Sequence, residues 1–222
     1  FDAGNTLVFL DYARLARAVG EAMGLPLTPQ ALEAAAPRAA LAMEQAEHRT
    51  DRERGAAFLL ALFALVGVGP ERAEQLREVL LGLHVERHLW ASSDARVAGA
   101  LARLRDAGFR MGVVSNSDGR AASALEVCGL LDFFEIVIDS GAVGVEKPDP
   151  RIFALALDRM GLAPRDALYV GDLYEVDVVG ARAAGLDVVL LDPAGLHGHR
   201  DVRTAPDVVA LADMLLAPHP TP

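Results

Sequence analysis

Of the 21 basic side chains in the chain, 20 are arginines and one is a lysine, Lys147, in the run Gly144-Val145-Glu146-Lys147-Pro148-Asp149-Pro150. A lysine ammonium is a compact, strongly hydrated point charge, better suited than the planar arginine fork to a phosphate or carboxylate where space is tight. Carboxylates lie elsewhere: Asp2 in Phe1-Asp2-Ala3-Gly4-Asn5-Thr6-Leu7, and Asp172 after Tyr169-Val170-Gly171, with Asp177 five residues later. Val113-Val114-Ser115-Asn116 adds a hydroxyl and backbone amides at the end of an apolar run. Singly, these residues have structural uses: Asp172 as a turn residue, Asp177 as a helix cap, Ser115 in a strand-end turn. Together with the lysine they could hold a small anion.

Such a set works only if a scaffold gathers it. From Ala95 onward, β-branched-rich runs at Arg110 to Ser115, Phe134 to Asp139, Ala167 to Asp172 and Leu186 to Asp192 predict strands. Between them, Ala95 to Gly108, Gly119 to Gly129, Asp149 to Gly161 and Tyr174 to Gly185 have helical spacing with a glycine near the end. This alternation predicts an α/β fold, a Rossmann-like parallel sheet core flanked by helices. Ligands bind beyond the carboxyl ends of such strands, where Asp2, Ser115 and Asp172 fall, with Lys147 following the strand before it.

The stretch from Tyr12 to Trp90 reads as helical throughout, with candidates at Ala13 to Gly24, Pro29 to Glu47, Arg52 to Val66 and Pro70 to His88. The expected organisation is therefore a catalytic core of residues 1–11 and 92–222, with residues 12–91 inserted as a small helical bundle. Residues 217–222 read as a proline-rich tail expected to lack order.

A formal net charge of −10 argues against nucleic acid and anionic membrane surfaces as partners. The apolar run Gly55 to Val68 is too short to cross a bilayer of about 30 Å and reads as a buried helix. Cys128 is the only cysteine, which excludes a disulfide framework and a thiolate metal site, fits a reducing cytoplasm, and suggests a small core residue. No signal peptide is read. The chain opens at Phe1 without a methionine, so the strand leading into Asp2 is expected to begin upstream.

In this order and spacing, the segments carrying Asp2, Ser115, Lys147 and the Asp172/Asp177 pair resemble the four motifs of the haloacid dehalogenase superfamily of phosphotransferases and hydrolases. The resemblance covers essentially the whole chain and implies a Mg2+-dependent phosphatase acting on a small phosphorylated metabolite. By that resemblance Asp2 is the nucleophile, forming an aspartyl-phosphate that water hydrolyses. It implies Asp2, the Gly4 carbonyl and Asp172 as direct Mg2+ ligands, with Asp177 direct or through water. Ser115 and the Asn116 amide would donate to phosphoryl oxygens. Lys147 would lie between the phosphoryl group and the acidic ligands. The insertion resembles a helical cap that closes over the site and contacts the leaving group.

The pattern breaks at Gly4, where most phosphatases of the superfamily carry a second aspartate as general acid and base, worth typically about 10²- to 10⁴-fold. Asp11 could replace it or could N-cap the first cap helix. A 2-haloacid dehalogenase also lacks that aspartate, but usually replaces the acid at Asp172 as well. A phosphate-binding protein with weak or no turnover is the third reading. In the cap, Glu44, His48, Arg49, Arg52, Glu53 and Arg54 read as a solvated face, His84 and His88 as an exposed pair on one helix, and Trp90 as packing. The substrate and the choice between monomer and homodimer are left open.

Overall fold

The structure is a computed structural model, described here for residues 1–44 and 50–217. The chain forms two compact units, one of Phe1–Phe9 with Ser92–Pro222 and the other of Leu10–Ala91. Strand β1 (Phe9–Leu10) lies where the chain enters the second unit and β2 (Trp90–Ser92) where it leaves.

The Leu10–Ala91 unit holds α1 (Tyr12–Met23), α2 (Pro29–Ala40), α3 (Asp51–Leu65) and α4 (Ala73–Glu86). Their starts follow local chemistry. Asp11 caps α1, Thr28 precedes Pro29 at the head of α2, and Thr50 with Glu53 forms a reciprocal capping box on α3. Leu15, Val19 and Met23 recur every fourth residue on the buried face of α1, which packs on α2 and α4.

Three expectations for this unit are corrected. The helix expected from Pro29 to Glu47 ends at Ala40, shortly after Pro37, and Leu41–Glu44 forms a 3₁₀ turn. Its last expected residues lie outside the described residues. Likewise, Pro70–Arg72 is a 3₁₀ turn before α4, and α4 stops before His88. Arg54 is buried rather than solvated, because it shares a helical face with Phe58 and Leu62. His48 and Arg49 lie outside the described residues.

The other unit is the α/β sheet. Its elements are α5 (Ala95–Asp106), β3 (Gly112–Ser115), α6 (Ala121–Val127), β4 (Ile136–Asp139), α7 (Ser140–Val143), α8 (Pro150–Met160), β5 (Leu168–Gly171), α9 (Val179–Ala183), β6 (Asp187–Leu191), β7 (Arg203–Ala205) and α10 (Val208–Leu216). Strands β3 and β4 pair in parallel, as do β5 with β6 and β6 with β7. Residues 1–3 join the two groups. The Phe1 nitrogen donates to Gly112 O at 2.9 Å, Val114 N to Phe1 O at 2.8 Å, and Asp2 N to Val170 O at 2.7 Å. The spatial order is thus β4, β3, residues 1–3, β5, β6, β7, an α/β core of the expected class.

The register places Ser115 opposite Asp139 and Gly171 opposite Leu190, so strand ends carrying polar residues align along one edge. Beneath them Val114, Ile138, Ile152, Phe153, Tyr169 and Leu190 form an apolar core. The helix expected from Tyr174 is in fact a π-turn, Tyr174–Val178, running into the short α9. Such wider turns often occur at functional sites, and this one contains Asp177. Among the described residues no helix is long and apolar enough to cross a membrane.

Candidate active site

The lysine is the centre of the site. Lys147 follows α7 and precedes α8, its peptide bond to Pro148 is cis, and its side chain is buried. Asn116 holds its backbone from both sides: Lys147 N donates to Asn116 Oδ1 at 2.8 Å, and Asn116 Nδ2 donates to Lys147 O at 3.0 Å. From this fixed base, Nζ donates to Asp2 Oδ1 at 2.6 Å, Asp177 Oδ1 at 2.7 Å and the Tyr169 hydroxyl at 2.9 Å. An ammonium has three N–H groups, and these contacts use all of them. Burial alone would lower the Lys147 pKa, but Asp177 and Asp2 outweigh it and hold the pKa well above the usual lysine value.

Asp177 is enclosed by donors. Its Oδ1 accepts from Lys147 with the Tyr169 oxygen 3.2 Å away, and its Oδ2 accepts from Asp172 N at 3.1 Å and Leu173 N at 3.0 Å. The strand end before it must be glycine, because a Cβ on Gly171 would lie 2.5 Å from Asp177 Oδ2 and 2.7 Å from its Cβ. Asp172 is more open and bonds to the Asn5 side chain. Asn5 itself adopts φ +53°, a left-handed conformation that asparagine tolerates better than most residues.

Oxygens of Asp2, Asp172 and Asp177 lie within 4.8 Å of one another. Three carboxylates against one ammonium leave an excess of two negative charges in a largely buried space. Protonation is one relief. Burial first, then Asp177, pushes the Asp2 pKa up to about 6 against the opposing pull of Lys147. Burial, Asp2 and Asp177 push Asp172 well above the usual carboxylate range. A divalent cation is the other relief, and the hard oxygen donors suit Mg2+. The donor set therefore fits the ion, with Asp2 and Asp172 better placed as direct ligands than Asp177, whose oxygens are occupied.

The second strand end is held by residues that sequence reasoning missed. Ser115 is buried, and among the described residues its hydroxyl donates to Asn116 O at 3.4 Å. The loop beyond it is pinned by Asp139, whose carboxylate accepts from Gly119 N at 3.0 Å and from Ala121 N and Gly141 N at 2.9 Å. Ser140 adds a reciprocal pair with the Ser117 backbone at 3.0 and 3.1 Å. The polar end of the β4 run was the available signal for Asp139. Gly141 permits the approach, since a Cβ there would lie 2.8 Å from Ser117 O.

Gly4 lies in the turn after residues 1–3, where Ala3 O accepts from Leu7 N and Val8 N at 2.9 Å. It provides no side chain for proton transfer. Asp11 takes the capping alternative, accepting from Arg14 N at 3.0 Å and pairing with Arg87 at 2.5 Å. His84 and His88 are partly buried, with ring centroids 5.1 Å apart, rather than an exposed pair on one helix, because α4 ends between them. Trp90 packs near Phe58, with centroids 6.2 Å apart.

Comparison with known proteins settles the family. A family model described as haloacid dehalogenase-like hydrolase matches residues 1–185. The chain belongs to the haloacid dehalogenase-like hydrolases. It is 36% identical over 143 residues to a phosphoserine phosphatase of Thermus thermophilus, covering 64% of this chain and 55% of that protein. It is 34% identical over 131 residues to a glyceraldehyde 3-phosphate phosphatase of Methanopyrus kandleri, covering 58% of this chain and 55% of that protein. The chain thus spans about half the length of these relatives. A 2-haloacid dehalogenase structure from Pseudomonas syringae pv. Tomato superposes with a TM-score of 0.60 at 22% identity, covering 97% of this chain and 96% of that one, and shares the hydrolase fold.

Proposed function

We propose that this hydrolase is a Mg2+-dependent phosphatase acting on a small phosphorylated metabolite through an aspartyl-phosphate at Asp2. The reading rests chiefly on the three clustered carboxylates around one buried ammonium. Displacement at a carbon–halogen bond has no need of a second and third carboxylate beside the nucleophile, whereas phosphoryl transfer needs a cation that they can hold. The phosphatase names of the curated relatives support the same choice.

Asp2 and Asp172 would ligate Mg2+ together with the Gly4 carbonyl, and Asp177 would orient the set from behind. Bound there, the ion supplies positive charge to phosphoryl oxygens and to the attacking carboxylate. An Asp2 carboxylate oxygen forms a bond to phosphorus while the ester P–O bond to the leaving alcohol breaks. Water then attacks phosphorus, the bond to Asp2 breaks, and inorganic phosphate leaves with Asp2 regenerated. Ser115 and the Asn116 amide would donate to the phosphoryl oxygens. With glycine at position 4, the leaving alkoxide takes its proton from water, which favours substrates with good leaving groups.

Phosphate release from p-nitrophenyl phosphate, with Mg2+ and with chelator, tests the reading. Release should require Mg2+, and Asp2→Asn should reduce it at least about 10³-fold, as expected for loss of a nucleophile. Turnover that persists in chelator, or in the Asp2→Asn protein, would overturn it.

A further inference from the structure

Tyr169 has a role that neither the four motifs nor the fold requires of it. It lies in β5, three residues before Asp172, with 4% of its surface exposed. Packing explains its ring, which stands edge-on to Phe153 at 4.9 Å between centroids in the apolar core. Packing does not explain its hydroxyl, because phenylalanine would fill the same space without burying a polar group. That hydroxyl has partners on both sides. It donates to Val114 O at 2.9 Å and accepts from Lys147 Nζ at 2.9 Å, with Asp177 Oδ1 at 3.2 Å. Burial raises the phenol pKa well above its usual value despite the pull of Lys147, so the group stays neutral and remains a donor.

The chain of contacts runs across the sheet. Val114 is the residue before Ser115 in β3, Tyr169 lies in β5, and residues 1–3 lie between them carrying Asp2. Asp2 and Asp177 both lie on the carboxylate side of the ammonium, and neither ties it to the sheet strand that carries Tyr169. A third contact, to an oxygen fixed by a strand carbonyl, supplies that tie. We propose that Tyr169 is a positioning residue for Lys147, locking its ammonium between Asp2 and Asp177 so that Lys147 holds the nucleophile in one orientation. This rests on the phosphatase reading above for its catalytic consequence, but not for its structural one.

The composition supplies an unusually direct test, since Lys147 is the only lysine in the chain. Protein labelled with 15N at lysine Nζ gives a single side-chain resonance that needs no assignment. Tyr169→Phe keeps the ring and removes only the oxygen. Its Nζ hydrogens should exchange with water at least about ten-fold faster than in the wild type, the factor expected for losing one hydrogen bond to a charged group. With p-nitrophenyl phosphate, kcat should fall about ten-fold while KM stays within about two-fold, because the variant keeps the ammonium and loses only its fixed orientation on Asp2. Phe153→Leu, which loosens the ring but keeps the hydroxyl, should lower the melting temperature without speeding exchange. Unchanged Nζ exchange in Tyr169→Phe would overturn the proposal, as would a rise in KM at constant kcat. If wild-type protein releases no phosphate, the phosphatase reading fails while the exchange measurement still decides the role of Tyr169.

Discussion

At the residue scale, the site is built by close approach and by exhaustion of hydrogen-bonding capacity. Asp177 accepts from Lys147 and from two backbone N–H groups, and Lys147 spends three donors, so displacing either disturbs both. Gly171→Ala would drive a methyl group into the Asp177 carboxylate. Overpacking of this kind costs about 1–3 kcal/mol, and Asp177 must move to relieve it. The variant should therefore melt at lower temperature and lose at least about ten-fold in kcat, since Lys147 would lose an anchor. A variant with full kcat would show that Asp177 is not needed in its present place. The residue types at Asp2, Ser115, Lys147, Asp172 and Asp177 were legible because strand-end position and motif spacing are local properties. The partners that fix them were not. Asn116 meets Lys147 across 31 residues and Tyr169 meets it across 22, and nothing in a single sequence reports which side chains fold into contact.

At the element scale, the loop after β3 is shaped from the neighbouring strand. Asp139 at the end of β4 accepts three backbone N–H groups, two of them from residues 119 and 121. Asp139→Asn would keep the shape but turn a donor toward one of those N–H groups. Leaving buried donors unsatisfied costs about 1–3 kcal/mol, so the variant should show that loss in urea denaturation. On the proposed phosphatase reading its KM for phosphate esters should rise with little change in kcat, because the loop would present Ser115 and Asn116 to the substrate. Equal stability of the two proteins would remove Asp139 as the anchor. The strands and helices of the sheet were legible to within a few residues because β-branched runs alternate with amphipathic ones. β7 and α10 were missed, since a three-residue Arg-Thr-Ala strand has no alternation to read and the apolar stretch after it has little polar face. The π-turn at Tyr174–Val178 was read as plain helix, because residue spacing does not distinguish the wider turn, whose Asp177 carboxylate meets Lys147 across 30 residues.

At the scale of the whole molecule, a chain of net charge −10 concentrates three carboxylates around one ammonium, an imbalance that a proton or a cation at the site would offset. The sign of the resulting pH dependence follows from Asp2. Its pKa in the folded, metal-free protein is pushed up to about 6, from an ordinary 3.8. The folded state therefore binds a proton more tightly than the unfolded chain, so the Asp2 contribution to stability is full below about pH 4 and declines as pH rises to about 6. On the proposed reading Mg2+ would compete with that proton, because a cation binds the ionised carboxylate. One such proton with a pKa near 6 predicts Mg2+ affinity rising about ten-fold between pH 5 and pH 7, and Asp172, whose pKa is also raised, steepens the rise. Melting curves with and without Mg2+ across that range should show a cation-induced stabilisation that is small at pH 5 and grows toward pH 7. In Asp2→Asn the slope should flatten, because the competing proton is gone. A Mg2+ effect independent of pH would mean that the cation binds away from Asp2 and Asp172, and the charge imbalance would then need another explanation.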